Sequence, residues 1–140
     1  MNPDQYPAYL KAEINFASAL NKGQRGAAVK RVQEWLTYHG FATPIDADFG
    51  DATERSVAAF RAKAGLGGGG KVDAATWTAL TAPLAAAVAD VAAPGQNLPR
   101  ACLKTAQQHL KWHPIELGGD NAGPWVRAYL SGQDGPQWYW

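Results

Sequence analysis

The sequence predicts a mainly α-helical fold, with a three-helix module over residues 20–81 followed by a short, partly helical C-terminal region. Three observations carry that expectation. Apolar residues recur at helical spacing in three segments between residues 20 and 80, a turn announces each segment, and two of the lead-in phrases are alike.

The first helix follows Lys22-Gly23-Gln24-Arg25-Gly26 and places Val29, Val32 and Leu36 on one face, with Lys30, Arg31, Gln33 and Glu34 elsewhere. Gly40 is its expected end, since glycine takes the left-handed conformation that closes helices. The second helix follows the turn-rich stretch from Asp46 to Gly50. There Asp51-Ala52-Thr53-Glu54 has capping-box spacing, in which the first and fourth residues satisfy each other's free backbone N–H groups. Val57, Phe60 and Ala64 make its expected buried stripe. The third opens on Asp73 as N-cap and sets Trp77 and Leu80 three apart on one face, with Pro83 as its expected limit.

Asp48-Phe49-Gly50-Asp51-Ala52-Thr53 and Lys71-Val72-Asp73-Ala74-Ala75-Thr76 read as one turn unit used twice, which suggests a compact bundle. Between them Gly67 to Gly70 reads as a flexible loop. It is not a phosphate cradle, because no Lys-Ser/Thr pair and no preceding strand accompany it.

The helical pattern fades near Thr81, a weak helix former, and residues 82–97 read as an Ala/Pro-rich, partly helical connector. The expected organisation is therefore an N-terminal extension (1–19), the module (20–81), the linker (82–97) and a C-terminal region (98–140). In that last region a helix from Pro99 to Lys111 carries Cys102, Leu103, Ala106 and Leu110 on one side, with Pro99 in its first turn. A tight loop from Glu116 to Pro124 then leads into a short helix bearing Val126, Tyr129 and Leu130.

Composition bounds the function. A chain of 140 residues holds one ordinary domain, or one module and part of another, and hides no large enzyme core. Thirteen Lys+Arg against 12 Asp+Glu give a net charge of +1, which removes the electrostatic case for nucleic acid or an anionic membrane as partner. The single cysteine, Cys102, forms no intramolecular disulfide and leaves the compartment open. The N-terminus lacks the basic stretch and apolar core of a signal peptide, so synthesis in the cytoplasm is expected, with the release route open. Ala82 to Ala93 is the most apolar stretch, but Pro83 and Asp90 interrupt it, and it falls well short of the roughly 20 residues that span a bilayer. Six tryptophans either line a ligand surface or fill two small cores, and both readings stand. A monomer is expected.

Leu20, Gly23, Gly26, Val29, Gln33, Leu36, Gly40, Asp46, Phe49-Gly50, Thr53, Val57, Phe60, Gly65-Leu66, Thr76-Trp77 and Leu80, in this order and spacing, resemble the peptidoglycan-binding domain of bacterial and phage cell-wall hydrolases. The resemblance implies a non-catalytic three-helix module that binds bacterial peptidoglycan and holds a hydrolase on that insoluble substrate, raising its local concentration. Two departures touch loop geometry more than fold. The usual Asp-Gly turn before the third helix is replaced by Gly67 to Gly70 and Lys71, and Val32 stands where leucine is commoner.

A looser resemblance covers residues 103–140. Ala106-Gln107-Gln108-His109-Leu110, Glu116, Gly119 to Pro124, Val126, Tyr129-Leu130 and Trp140 resemble the opening of papain-like cysteine amidases and peptidases of the cell wall, the CHAP type. In those proteins the nucleophilic cysteine follows directly after a phrase like Gln137-Trp138-Tyr139-Trp140, and this chain stops before it. The resemblance implies a second reading, the N-terminal part of a cysteine-dependent peptidoglycan amidase or endopeptidase, with a cysteine expected soon after Trp140 in a longer parent sequence.

No catalytic residue, metal or cofactor is expected in the chain itself. Cys102 reads as a small buried apolar residue rather than a nucleophile, since a thiolate needs a base within reach. His109 and His113 have the spacing of two zinc ligands on a helix, but a third ligand is missing and Pro114 disfavours helix at His113. His39 reads as a helix-end residue on the last carbonyls. Asp46, Asp48, Asp51 and Glu54 misfit a calcium loop and read as caps, and Glu116 with Asp120 or Asp134 reads as turn chemistry rather than a glycosidase pair.

For the ligand, sugar faces call for aromatic stacking and peptide carboxylates for guanidinium pairing. Trp35 and Tyr38, off the Val29, Val32, Leu36 stripe, are the expected wall. Asp48, Phe49, Asp51 and Thr53 supply a polar edge at the turn, and Arg31 and Arg55 face the carboxylates.

Overall fold

A computed structural model describes residues 6–89 and 97–138; most of the second half of the expected linker, and Tyr139 and Trp140, lie outside the described residues. The fold is mainly helical, as expected: α1 (Ala8–Ile14), α2 (Ala27–Tyr38), α3 (Asp51–Lys63), α4 (Ala74–Val88), α5 (Leu98–Lys111) and α6 (Pro124–Tyr129). No helix among the described residues is long and apolar enough to cross a membrane.

The helices α2, α3 and α4 close around one apolar core. Val29, Val32, Trp35, Leu36, Phe49, Val57, Val72, Leu80 and Leu84 are all fully buried in it. The repeated turn unit has a structural counterpart. Val72 forms an antiparallel bridge with Leu20, while Asp48, beside Phe49, forms one with Arg25. Each unit thus drops one apolar side chain into the core and ties its backbone to the segment 20–25 just before a helix begins. In the glycine run, Gly70 passes so close to the Glu54 backbone that a Cβ there would sit 2.8 Å from its carbonyl oxygen. Arg61 straps the same loop from α3, donating to Leu66 O at 3.0 Å, Lys71 O at 3.2 Å and Asp73 Oδ2 at 2.9 Å.

Several local expectations change. Pro83 does not end its helix: α4 runs on to Val88, so the expected connector is helical that far. A proline inside a helix costs about 3 kcal/mol, and here Leu84 and Ala87 continue the buried face begun by Trp77 and Leu80, which offsets that cost. The capping box does not form. Gly50 is the N-cap of α3 without a side-chain cap, and Asp51 and Glu54 instead pair with Lys22. Their charges still favour the first turn of a helix. Ala64 is the exposed C-cap of α3 rather than part of its stripe, and Cys102 is exposed rather than buried. Asp73 caps α4 as expected, accepting from Thr76 N at 2.8 Å.

Residues on both sides of the three-helix unit pack onto it. The helix α1 touches α4 and α6, and α6 also lies against α2. Trp77 Nε1 on α4 donates to Ile14 O at the end of α1, 2.8 Å away. On the other side Trp125 of α6 joins the core beside Trp35 and Tyr38, with ring centroids 6.2 and 6.0 Å apart. The rings continue through Tyr129 to His109 on α5, whose Nδ1 stands 2.7 Å from the Tyr129 hydroxyl. Gln108 of α5 donates to the carbonyls of Ala86, Ala87 and Ala89, supplying partners for the exposed end of α4. None of the residues of α5 is itself buried.

Candidate functional site

The turn before α3 is built by one side chain. Gln33 is fully buried, and the two hydrogens of its Nε2 are shared among Asp46 Oδ1 (2.8 Å), Asp48 O (2.9 Å) and Thr53 Oγ1 (3.1 Å). Its Oε1 accepts from the backbone N–H of Asp46 (3.1 Å) and Ala47 (2.9 Å). A primary amide has two donors and one acceptor oxygen, so both ends of Gln33 are committed to the loop that presents Asp48 and Asp51. Asp46 is held below the usual carboxylate range by the Asp48 N–H and by Gln33. The carboxylates expected as caps are therefore paired: Asp46 with Gln33, Asp48 with Arg25 at 2.7 Å, and Asp51 with Lys22.

A second cluster gathers around Glu34, the residue after Gln33 on α2. Arg127 of α6 reaches into the molecule and binds Glu13 of α1 through Nε (2.7 Å) and Nη2 (3.1 Å). It also binds Glu34 of α2 through Nη1 (3.2 Å) and Nη2 (2.5 Å), and Asp134 through Nη1 (2.7 Å). Glu34 is fully buried and Glu13 nearly so. Burial works against the Arg127 cation, but the hydrogen bonds to the two carboxylates outweigh it and raise its pKa further. Arg31 adds a bond from Nε to Glu13 Oε1 at 2.7 Å.

The expected contacts separate on this scaffold. Trp35 does not stand off the buried stripe: it is fully enclosed, because α6 covers the side of α2 that would otherwise face solvent. Phe49 is likewise fully buried, and Thr53 nearly so. Gln33 and Glu34, placed off the Val29, Val32, Leu36 stripe by the sequence, are both fully buried, Gln33 under the turn before α3 and Glu34 under Arg127 of α6. Gln33 follows Val29 by four and precedes Leu36 by three, a signal that it shares their face. Asp48, Asp51 and Arg55 lie near one another at the turn and the start of α3, with Arg55 and Asp51 exposed. Arg31 is elsewhere, in a cleft of about 450 Å³ with Asn15, Phe16 and Trp77 between α1 and the three-helix unit.

Tyr38 remains half-buried and lines one of two hollows that share His39. One, of about 230 Å³, is lined by His39, Phe41, Phe60, Lys63, Ala64 and Ala79. The other, of about 370 Å³, is lined by Tyr38, His39, Pro83 and the segment from Lys111 through Trp112 and His113 to Ile115. The Tyr38 hydroxyl donates to Trp112 O, which fixes that segment, and burial raises the Tyr38 pKa. His39 does not bond the end of its own helix through its ring: Nε2 stands 2.8 Å from Leu80 O of α4, and burial lowers its pKa. The sequence does not single out Trp112, because the chain returns it to α2 from 74 residues away.

His113 lies beyond the end of α5 with φ 47°, off the face that carries His109. Among the described residues no three His, Cys, Asp or Glu side chains are grouped to hold a metal ion.

Residues 25–80 match a family described as "Putative peptidoglycan binding domain". That match ends at the middle of α4 and does not reach residues 103–140, so the CHAP-type expectation for that region gains no support from it. Comparison with curated proteins and with solved structures returned no match.

Proposed function

We propose that residues 20–81 bind bacterial cell-wall peptidoglycan without cleaving it and hold a hydrolase on that polymer. The observation that carries this reading is the family match over residues 25–80, which falls on one continuous structural unit. Gln33, Asp46, Phe49 and Thr53, four of the polar and aromatic residues that carry the resemblance, build the turn before α3. In this proposal Tyr38 meets a sugar face, and Arg31 and Arg55 take peptide carboxylates. Asp48, Asp51 and Thr53 offer a polar edge, while Trp35 and Phe49 support these residues from beneath. Association with the cell wall follows from the ligand, and tethering raises the local concentration of whatever the module is joined to.

The test is co-sedimentation of the full chain with purified peptidoglycan sacculi. Pelleting with sacculi, and no pelleting without them, is the expected result; failure to pellet at moderate salt overturns the binding claim. Loss of turbidity or release of soluble fragments in the same mixture overturns the claim that no bond is cleaved.

A further inference from the structure

The two hollows that meet at His39 carry more information than the expected contacts did. Each combines an aromatic platform with a lysine: Lys63 Nζ stands 5.5 Å from the Phe41 ring centroid, and Lys111 Nζ 5.7 Å from that of Trp112. No Asp or Glu lines either hollow. Neither lysine has an ion-pair partner among the described residues, whereas Lys22, Arg25, Lys30, Arg31, Arg61 and Arg127 all do. A surface with rings and cations but no carboxylate favours a ligand that offers flat apolar faces and negative charge together.

We propose that these hollows form one channel for a glycan strand bearing peptide carboxylates, sugar faces resting on Phe41 and Trp112 and carboxylates on Lys63 and Lys111. This rests on the peptidoglycan reading and names the part of that polymer recognised. An ammonium resting on an exposed ring gains only about 0.5–1 kcal/mol, so each lysine leaves its ring for a carboxylate at small cost. Half of the channel, from Lys111 to Ile115, lies outside the family-matched residues and is held in place by the Tyr38–Trp112 hydrogen bond. The segment after α5 therefore completes the site rather than merely flanking it.

The test uses the full chain, with K63E/K111E and W112A as variants and R100E/K104E, the same charge change on the exposed face of α5, as control. Circular dichroism melts check that each is folded. On intact sacculi, K63E/K111E is expected to bind about tenfold more weakly, the size of two surface ion pairs lost and reversed. W112A should weaken to a similar extent, and R100E/K104E should bind like the unaltered chain. Equal binding by K63E/K111E and R100E/K104E overturns the proposal, even if W112A fails to fold. On sacculi stripped of peptides by an amidase, the gap between the unaltered chain and K63E/K111E should close; a gap that persists overturns the assignment of the lysines to peptide carboxylates. If the unaltered chain does not pellet at all, the peptidoglycan reading itself fails, and the channel's ligand with it.

Discussion

Replacing Arg127 with methionine removes one guanidinium that serves two buried carboxylates. Glu13 and Glu34 each contact it through both of their oxygens, and Glu34 is fully enclosed. Removing one partner of a buried ion pair costs about 3–5 kcal/mol, because the other charge stays buried. Two features bring R127M to the lower end: Arg31 still holds Glu13 at 2.7 Å, and Lys30 Nζ lies 3.7 Å from Glu34. A loss of about 3 kcal/mol is a large part of the 5–15 kcal/mol typical of a folded domain and lowers the melting temperature by roughly 10 °C. The pH response supplies the sharper test. With Arg127 gone, two buried carboxylates lose the cation that compensates them, and protonating such a group removes an unpaired buried charge. The stability gap between R127M and the unaltered chain, which share His39 and His109, should therefore narrow as pH falls from 7 towards 5. Thermal melts followed at 222 nm, at both pH values, measure this, and E13Q/E34Q added to R127M should recover part of the loss at pH 7. A melting temperature for R127M within about 3 °C of the unaltered chain at pH 7, or a gap between the two that widens at pH 5, refutes the reasoning.

Gln33→Leu keeps the volume but strips the turn before α3 of five hydrogen bonds; a loss of about 2–4 kcal/mol is expected by urea unfolding, with faster amide exchange at Ala47. Asp73→Ala removes the cap of α4 and a partner of Arg61 and should cost about 1–2 kcal/mol in the same assay. His39 and His109 both have pKa values lowered by burial, so the unfolded state takes up protons first as pH drops below about 6.5. Urea midpoints of the unaltered chain should therefore decrease from pH 7 to pH 5.5, and His39→Phe should show a smaller decrease; an equal decrease would falsify the assignment to His39.

What the sequence made legible were the features governed by neighbours along the chain. The three helices of residues 20–81, the Asp73 cap and the shared face of Trp77 and Leu80 follow from spacing and local hydrogen bonding. What it concealed depends on distant residues. Trp35 and Glu34 look like an outer face until α6 arrives from 93 positions further on, and Tyr38 meets Trp112 only through the fold. Pro83 shows the same limit in reverse: a strong local breaker is overridden because Leu84 and Ala87 bury against the rest of the core. Of the expected ligand contacts, charge and turn chemistry placed Asp48, Asp51 and Arg55 near one another, whereas the aromatic members Trp35 and Phe49 went to the interior.

The Glu13–Arg127–Glu34 cluster also bears on how such chains can vary. A charge enclosed at position 34 is tolerable only in a sequence that also supplies a cation to meet it, here 93 residues away. Positions 13, 34 and 127 should therefore change together across relatives, and a chain that keeps the three-helix unit but lacks an arginine equivalent to Arg127 should carry an uncharged residue where Glu34 stands. Transplanting residues 20–81 alone into another protein would export half of a charge pair, and swapping Glu34 for glutamine is the first adjustment such a graft would need.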